Sequence, residues 1–333
     1  MTESHTDVKS SHLDLFSVSV IIPAYNAARF VTQAVESALS QPETGEVILI
    51  EDGSPDGSLH VCQKLAEKYE KVRLLQHPRG VNKGAGASRN LGMQNAKFDY
   101  IAFLDADDFF LPGRFFKATE VFEANPDCEG VYEAIGRHVE NKAGLSRWEA
   151  AHKPDTKLHT VITPIPPEGL AKELINGIKG DFSLNGLVIK KSALEKTGYM
   201  NESLRLDQDT DFILRMAIKT TLLPGRLSEP VAIWRIHEQN RVSAQKSANQ
   251  ERKRRLKFWV SFYKWCEKNA SSEIQSLTLN KMLEYVGRKN ILDRFPRRFF
   301  SVKLLRLFRL TVFLLEHPVF LKKFRAIKQV LIV

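Results

Sequence analysis

Cysteine is scarce in this chain of 333 residues: Cys62, Cys128 and Cys266 are its only three. They are odd in number, far apart and without metal-ligand spacing, which argues against a disulfide framework and fits a reducing cytosol. Long apolar runs are missing as well. No stretch reaches the roughly 20 residues that a bilayer-spanning helix needs. The opening MTESHTDVKSSHLDLF is polar and has no apolar core, so no signal peptide is expected. Internal repeats and low-complexity tracts are also lacking. What is present is a folded-protein balance of 43% hydrophobic and 26% charged residues, enough for one large domain and an appendage.

Charge is unevenly spread. The net charge is +10, yet residues 241–333 hold 22 Lys and Arg against 6 Asp and Glu, and the remainder holds 27 against 33. A mildly acidic body carries a strongly basic tail, and such a tail is suited to an anionic surface. Its stretch RFPRRFFSVKLLRLFRLTVFLLEHPVFLKKFRAIKQV mixes basic residues with Phe and Leu. Two readings fit: a helix lying in a membrane interface, or a helical subdomain that packs its leucines. No recognised module accompanies the charge, so nucleic acid is not an expected partner.

Along the body, apolar strands alternate with helical stripes. VSVIIP (Val18 to Pro23) and EVILI (Glu46 to Ile50) are unbroken apolar runs, as in strands covered on both faces. Phe30, Val31, Ala34, Val35, Ala38 and Leu39 share one helix face between them. Leu59, Cys62, Leu65, Ala66 and Tyr69 form a second stripe, before a third strand VRLLQ (Val72 to Gln76). A helix over Gly86 to Ala96 leads to a fourth, YIAFL. This alternation predicts a parallel sheet with right-handed crossovers. Beyond it, EGVYEAIGRHV reads as one strand, residues 140–170 as a long loop or lid, and AIWRIH as a late strand. SLNGLVIKKSALEKTGYM reads as a strand, a short helix and a glycine stop, and DQDTDFILRMAIKTT as a helix with acids in its first turn.

In such a sheet, ligands bind beyond the carboxyl ends of the strands. The four strand ends are PAYN, EDGSPDGS, HPRGVNKGAGASRN and DADD. The last places Asp105, Asp107 and Asp108 within four positions, where their charges repel unless a cation or donors intervene. Asp-x-Asp at a strand end can share Mg²⁺ or Mn²⁺, which prefer oxygen ligands and bridge diphosphates. Asp52 can accept the ring N–H that uracil and thymine both present, or simply close an Asx-turn. Tyr25 can stack on a base. GAGAS fails the dinucleotide fingerprint, because Arg89 stands where its third glycine belongs. Arg89, at a helix start, can instead contact phosphate.

VSVIIPAYNAARFVTQAVESALSQ, EVILIEDGSPDGS, NKGAGASRNLGMQNAKFDYIAFLDADD and DQDTDFILRM, in this order and at these separations, resemble the family 2 inverting glycosyltransferases. The resemblance runs from about Val18 to about Ser243. It implies a GT-A fold: a Rossmann-like, mostly parallel central sheet flanked by helices, here with a basic helical C-terminal extension. The implied organisation is a disordered N-terminus over 1–16, the GT-A domain over 17–240 and the basic helical region over 241–333. It also implies a nucleotide pocket of Pro23, Tyr25, Asn26, Asp52, Arg89, Asn90 and Asp105, and a Mg²⁺ or Mn²⁺ site of Asp107 and His237. Asp209 matches the catalytic base, with Asp207 and Asp211 close by; helix capping is the plain alternative for all three. The implied partners are a UDP- or dTDP-sugar donor and a glycan or lipid-linked acceptor; the basic tail adds anionic lipid at the cytoplasmic face of the inner membrane as an expected partner. The sequence departs from the family at Glu51, where Asp is common, and at Gln208, where an acid is common. A nucleotidyltransferase and a non-catalytic nucleotide-sugar-binding protein are the rival readings. The first would carry a Lys on the first strand's exit, which PAYNAARF lacks.

Overall fold

A strand with apolar residues on both of its faces must be covered on both, and the first two strands of the chain are of this kind. The computed structural model describes residues 16–151, 158–240 and 247–285. It places β1 at Val18–Ala24 and β2 at Thr44–Glu51 as parallel neighbours. Val20, Ile21 and Ile22 of β1, and Val47, Ile48, Leu49 and Ile50 of β2, are sealed from solvent. Between them α1 (Val31–Leu39) buries Val31, Ala34, Val35 and Ala38, the stripe expected from their spacing. Next come α2 (Ser58–Lys68), β3 (Val72–Gln76), α3 (Ala85–Asn95) and β4 (Tyr100–Phe103). The four strands run parallel in the order β3-β2-β1-β4.

The chain continues through β5 (Phe109–Phe110), α4 (Phe116–Ala124), β6 (Gly130–Tyr132), β7 (Ile135–Val139), α5 (Lys142–Ala151) and α6 (Pro167–Asn176). It then forms β8 (Leu187–Lys190), α7 (Ala193–Thr197), α8 (Gln208–Lys219), β9 (Leu222–Pro224) and β10 (Ala232–Ile236). β8 joins β4 antiparallel, and β6 and β9 complete a seven-stranded sheet. A second sheet has the order β5-β10-β7. The architecture is the expected one, a mostly parallel central sheet flanked by helices.

Two local expectations are corrected. EGVYEAIGRHV is not one strand: β6 belongs to the large sheet and β7 to the small one. The chain changes sheets at Glu133 and Ala134, where Glu133 N donates to Gly186 O and Ala134 N to Arg226 O. Buried charge holds the corner. The Glu133 carboxylate accepts from Arg114 Nη1 at 2.8 Å, with both side chains sealed from solvent, and from Arg226 N at 3.1 Å. The expected lid over 140–170 begins instead with α5. Asn141 caps it through Gly144 N at 2.7 Å, and Trp148 is buried edge-on against Trp234, with centroids 4.7 Å apart. Local composition read as polar loop concealed that single anchoring aromatic.

The chain forms two compact units, Met1–Gln245 and Lys246–Val333. In the second, α9 (Ala248–Asn269) starts at a capping box of Ser247 and Gln250 and packs on α10 (Ser272–Tyr285). Among the described residues no helix is long and apolar enough to cross a membrane. The tail from Phe299 to Phe324 lies outside the described residues.

Removing one member of a buried ion pair strands the other's charge. Glu133→Ala is expected to lose about 3–5 kcal/mol of stability, measured by urea unfolding, because Arg114 would be left without its carboxylate.

Candidate active site

The exits of β1, β2, β4 and β10 and the first turns of α3 and α8 open into one cleft of about 640 Å³. Pro23, Tyr25, Asn26, Asp52, Arg89, Asp105, Asp107, Asp209 and His237 all line it. Tyr25 is exposed at the rim. Asn26, with φ 52, turns the chain through the left-handed region that Asn tolerates better than most residues. Asp52 is buried. Its carboxylate accepts from Lys83 N and Gly84 N, both at 2.8 Å, and from Asn82 Nδ2 at 3.0 Å. It therefore shapes the loop that enters α3. Arg89 is buried at the first turns of α3, and its guanidinium pairs with Asp105.

Asn90 does not join the cleft, contrary to the expectation drawn from the resemblance. Its buried amide is occupied elsewhere: Nδ2 donates to Met200 O at 3.0 Å and Glu202 Oε1 at 2.9 Å, and Oδ1 accepts from Met200 N at 2.8 Å. It fastens the loop that precedes α8.

The acidic turn after β4 is closed by Asp108 N donating to Asp105 O at 3.0 Å. Carboxylate oxygens of Asp105, Asp107 and Asp108 lie within 4.8 Å of one another. Asp108 is buried and accepts from Asn185 Nδ2 at 2.6 Å and from Arg235 N at 2.8 Å. Burial pushes its carboxyl well above the usual range, and the charges of Asp107 and Asp105 add to the effect. Asp107 stays partly exposed and faces His237 Nε2 at 3.1 Å. His237 Nδ1 accepts from Gln239 N at 3.2 Å, which leaves Nε2 as the ring nitrogen that faces Asp107. The ring lies 4.7 Å from that of Phe30. Gly144 admits the main chain here, since a Cβ on it would stand 2.6 Å from His237 Cα.

Sequence reasoning missed the residue behind this turn. Arg235 donates from Nε to Asp107 O at 2.8 Å, from Nη1 to Glu140 at 2.7 Å and from Nη2 to Gln33 at 2.5 Å. Its guanidinium lies about 5 Å from the rings of both Phe30 and Phe109. Nothing local in AIWRIH marks it, because its partners come from α1, the β4 exit and the end of β7. Also missed were Asn185, Asn240 and the far wall of the cleft, where His159 meets Asp181 at 2.6 Å beside Trp234.

The three acids at the start of α8 separate clearly. Asp209 is exposed to the cleft, with Oδ1 accepting from Thr210 N at 2.8 Å. Asp207 takes the left-handed N-cap position, φ 64, and is not among the cleft-lining residues. Asp211 is buried and pairs with Arg215 at 2.8 Å; burial raises its carboxyl although the guanidinium opposes the shift. Arg215 also donates to Thr197 O and Tyr199 O, so this pair ties α8 to the end of α7.

The fold is that of GT-A glycosyltransferases. Residues 19–196 match Glycosyl transferase family 2, and the chain belongs to that family. An uncharacterized glycosyltransferase of Haemophilus influenzae is 28% identical over 225 residues, which are 66% of this chain and 68% of that protein. The succinoglycan biosynthesis protein ExoU of Rhizobium meliloti is 29% identical over 209 residues, 60% of this chain and 56% of that one. The minor teichoic acid biosynthesis protein GgaB of Bacillus subtilis is 35% identical over 178 residues, 50% of this chain and 19% of that one. The solved structure of S. aureus TarS 1–349 in complex with UDP-GlcNAc is similar in fold, with a TM-score of 0.56 at 15% identity, covering 81% of this chain and 80% of that one.

Asn90→Ala is expected to cost roughly 1–3 kcal/mol in a melting experiment, because it strands Met200's buried N–H and C=O. UDP affinity by calorimetry should stay within about twofold, less than 0.5 kcal/mol. A tenfold weaker UDP affinity would instead return Asn90 to the nucleotide pocket.

Proposed function

We propose that the protein transfers a sugar from a UDP- or dTDP-linked donor to a hydroxyl of a glycan or lipid-linked acceptor, with inversion, in bacterial cell-surface polysaccharide synthesis. One observation carries this reading. A base-reading edge (Tyr25, Asp52), an acidic turn (Asp105, Asp107, Asp108) and an exposed carboxylate (Asp209) share a single cleft. The names of the relatives in succinoglycan and teichoic acid synthesis support the pathway class. The family match weighs against a nucleotidyltransferase.

A carboxylate offers about four lone-pair sites. Lys83 N, Gly84 N and Asn82 Nδ2 take three of those of Asp52, and His77 Nε2 stands 3.7 Å from Oδ1; the ring N–H of uracil or thymine would take the fourth. Tyr25, at the rim, covers the base, and Arg89 supplies positive charge beside Asp105. Three clustered carboxylates and an imidazole are a donor set that Mg²⁺ or Mn²⁺ accepts. Asp107 and His237 would hold the cation, with Asp105 at its side. Bound there, it neutralises charge on the departing diphosphate. Asp209 takes the proton from the acceptor hydroxyl as that oxygen attacks the anomeric carbon from the face opposite the diphosphate. Positive charge gathers on the sugar ring at that moment.

We further propose that the basic tail, with its Phe and Leu, attaches the enzyme to the cytoplasmic face of the inner membrane, where each Lys or Arg near anionic lipid contributes about 1 kcal/mol.

Asp209→Asn removes proton acceptance and little else. It is expected to keep UDP affinity and to lose turnover by about 10²-fold or more, assayed against a panel of UDP- and dTDP-sugars with Mn²⁺. Asp107→Ala should abolish the dependence of nucleotide-sugar binding on Mn²⁺ in calorimetry; full activity in excess EDTA would refute the metal reading. Vesicle sedimentation tests the tail. The full chain should pellet with anionic but not neutral vesicles, and less so at high salt, because salt screens the charges. Failure to pellet with either would end the membrane reading.

A further inference from the structure

Asp209 can serve as a base only if the start of α8 is held in place, and the residue just before it meets three polar groups at once. Gln208 is buried, with 5% of its surface exposed. One end of its amide faces Leu204 O at 2.6 Å and Arg205 O at 3.1 Å, and the other faces Gly86 N at 2.9 Å; two carbonyls need donors and an N–H needs an acceptor, which assigns the nitrogen to the first end and the oxygen to the second. Gly86 stands in the first turn of α3, where backbone N–H groups have no partner within the helix. The two segments come so close that a Cβ on Gly86 would sit 3.2 Å from Gln208 Cδ. A second tie runs alongside: Arg205 Nη1 donates to Asn82 Oδ1 at 3.2 Å, and Asn82 Nδ2 donates to Asp52 at 3.0 Å.

We infer that Gln208 is a positioning residue whose amide locks the loop before α8 to the first turn of α3, setting Asp209 against the nucleotide side of the cleft. The inference deepens the proposed function and rests on Asp209 as the base. It also accounts for the amide at a position where the family commonly has an acid. Only an amide offers two donors for two carbonyls and an acceptor for one N–H. An ionised glutamate of the same size offers no donor and sets a buried charge against two carbonyl oxygens. The charged groups around the amide are Arg205, Asp207 and Asp209 on its own segment, and Lys83 and Arg89 on either side of Gly86 in sequence.

The test uses the full chain with Mn²⁺ and a panel of UDP-glucose, UDP-galactose, UDP-GlcNAc and dTDP-rhamnose, following donor hydrolysis for whichever turns over. UDP affinity and Tm are measured beside it. Gln208→Glu should lose about tenfold or more in kcat near about pH 8, with UDP affinity nearly unchanged, since a small displacement of a reacting group is enough. Its activity relative to the unaltered protein should recover toward about pH 5.5, as the carboxyl gains a proton to donate. Gln208→Met should show the loss without the recovery. Gly86→Ala should reproduce part of it by pushing the amide away. If Gln208→Glu and Gln208→Met both keep full kcat while Asp209→Asn is inactive, the positioning role is overturned and the base stands. A loss in Gln208→Glu that ignores pH would equally overturn the role of the amide as donor. Turnover surviving in Asp209→Asn would overturn the base assignment, and this inference with it.

Discussion

The cleft depends on how the negative charge at the end of β4 is offset. Three carboxylates crowd one turn, and each has a different neighbour to hold it. Arg89 from α3 meets Asp105. His237, beyond β10, meets Asp107. Asp108, the buried one, is held by the backbone N–H of Arg235 and the amide of Asn185. The turn therefore gathers α3, the segment entering β8 and the exit of β10 around itself. The small sheet exists at this place because β10 must reach the turn. What remains partly open is Asp107 with Asp105 beside it, the part that faces the cleft.

The division of labour within this cluster follows from burial. A fully buried Asp108, its two oxygens taken by Asn185 Nδ2 and Arg235 N, fits a structural part, whereas partly exposed Asp107 keeps ligand capacity. The same logic sorts the acids of α8. Asp211 is spent on Arg215, Asp207 on the backbone turn, and Asp209 alone of the three lines the cleft.

Much of this was legible in the residues themselves. Unbroken apolar runs revealed β1 and β2, one-face spacing revealed α1, and polar segments at strand ends located the cleft. Local pattern ran out where a residue's meaning lay in distant partners. EGVYEAIGRHV has uniform strand character, and only the buried Glu133–Arg114 pair shows where it bends from one sheet into the other. Asn90 follows Arg89 directly, but neighbours on a helix point in different directions. Arg89 turns to the cleft and Asn90 to the loop at Met200. Arg235 looks like an ordinary strand arginine until Gln33, Asp107 and Glu140 are assembled around it.

The distance along the chain between Asp108 and Arg235 carries a consequence for biosynthesis. The two are 127 residues apart. A ribosome adding 5–20 residues per second takes on the order of ten seconds to cover that stretch. During this interval β1 to β4 are already made and can pair, while the acidic turn at their edge still waits for its N–H donor and for the guanidinium behind it. The nascent parallel half thus carries an unfinished, charged rim until nearly the whole catalytic unit has emerged. β10, the last strand among the described residues, is the one that brings the acidic turn its backbone donor.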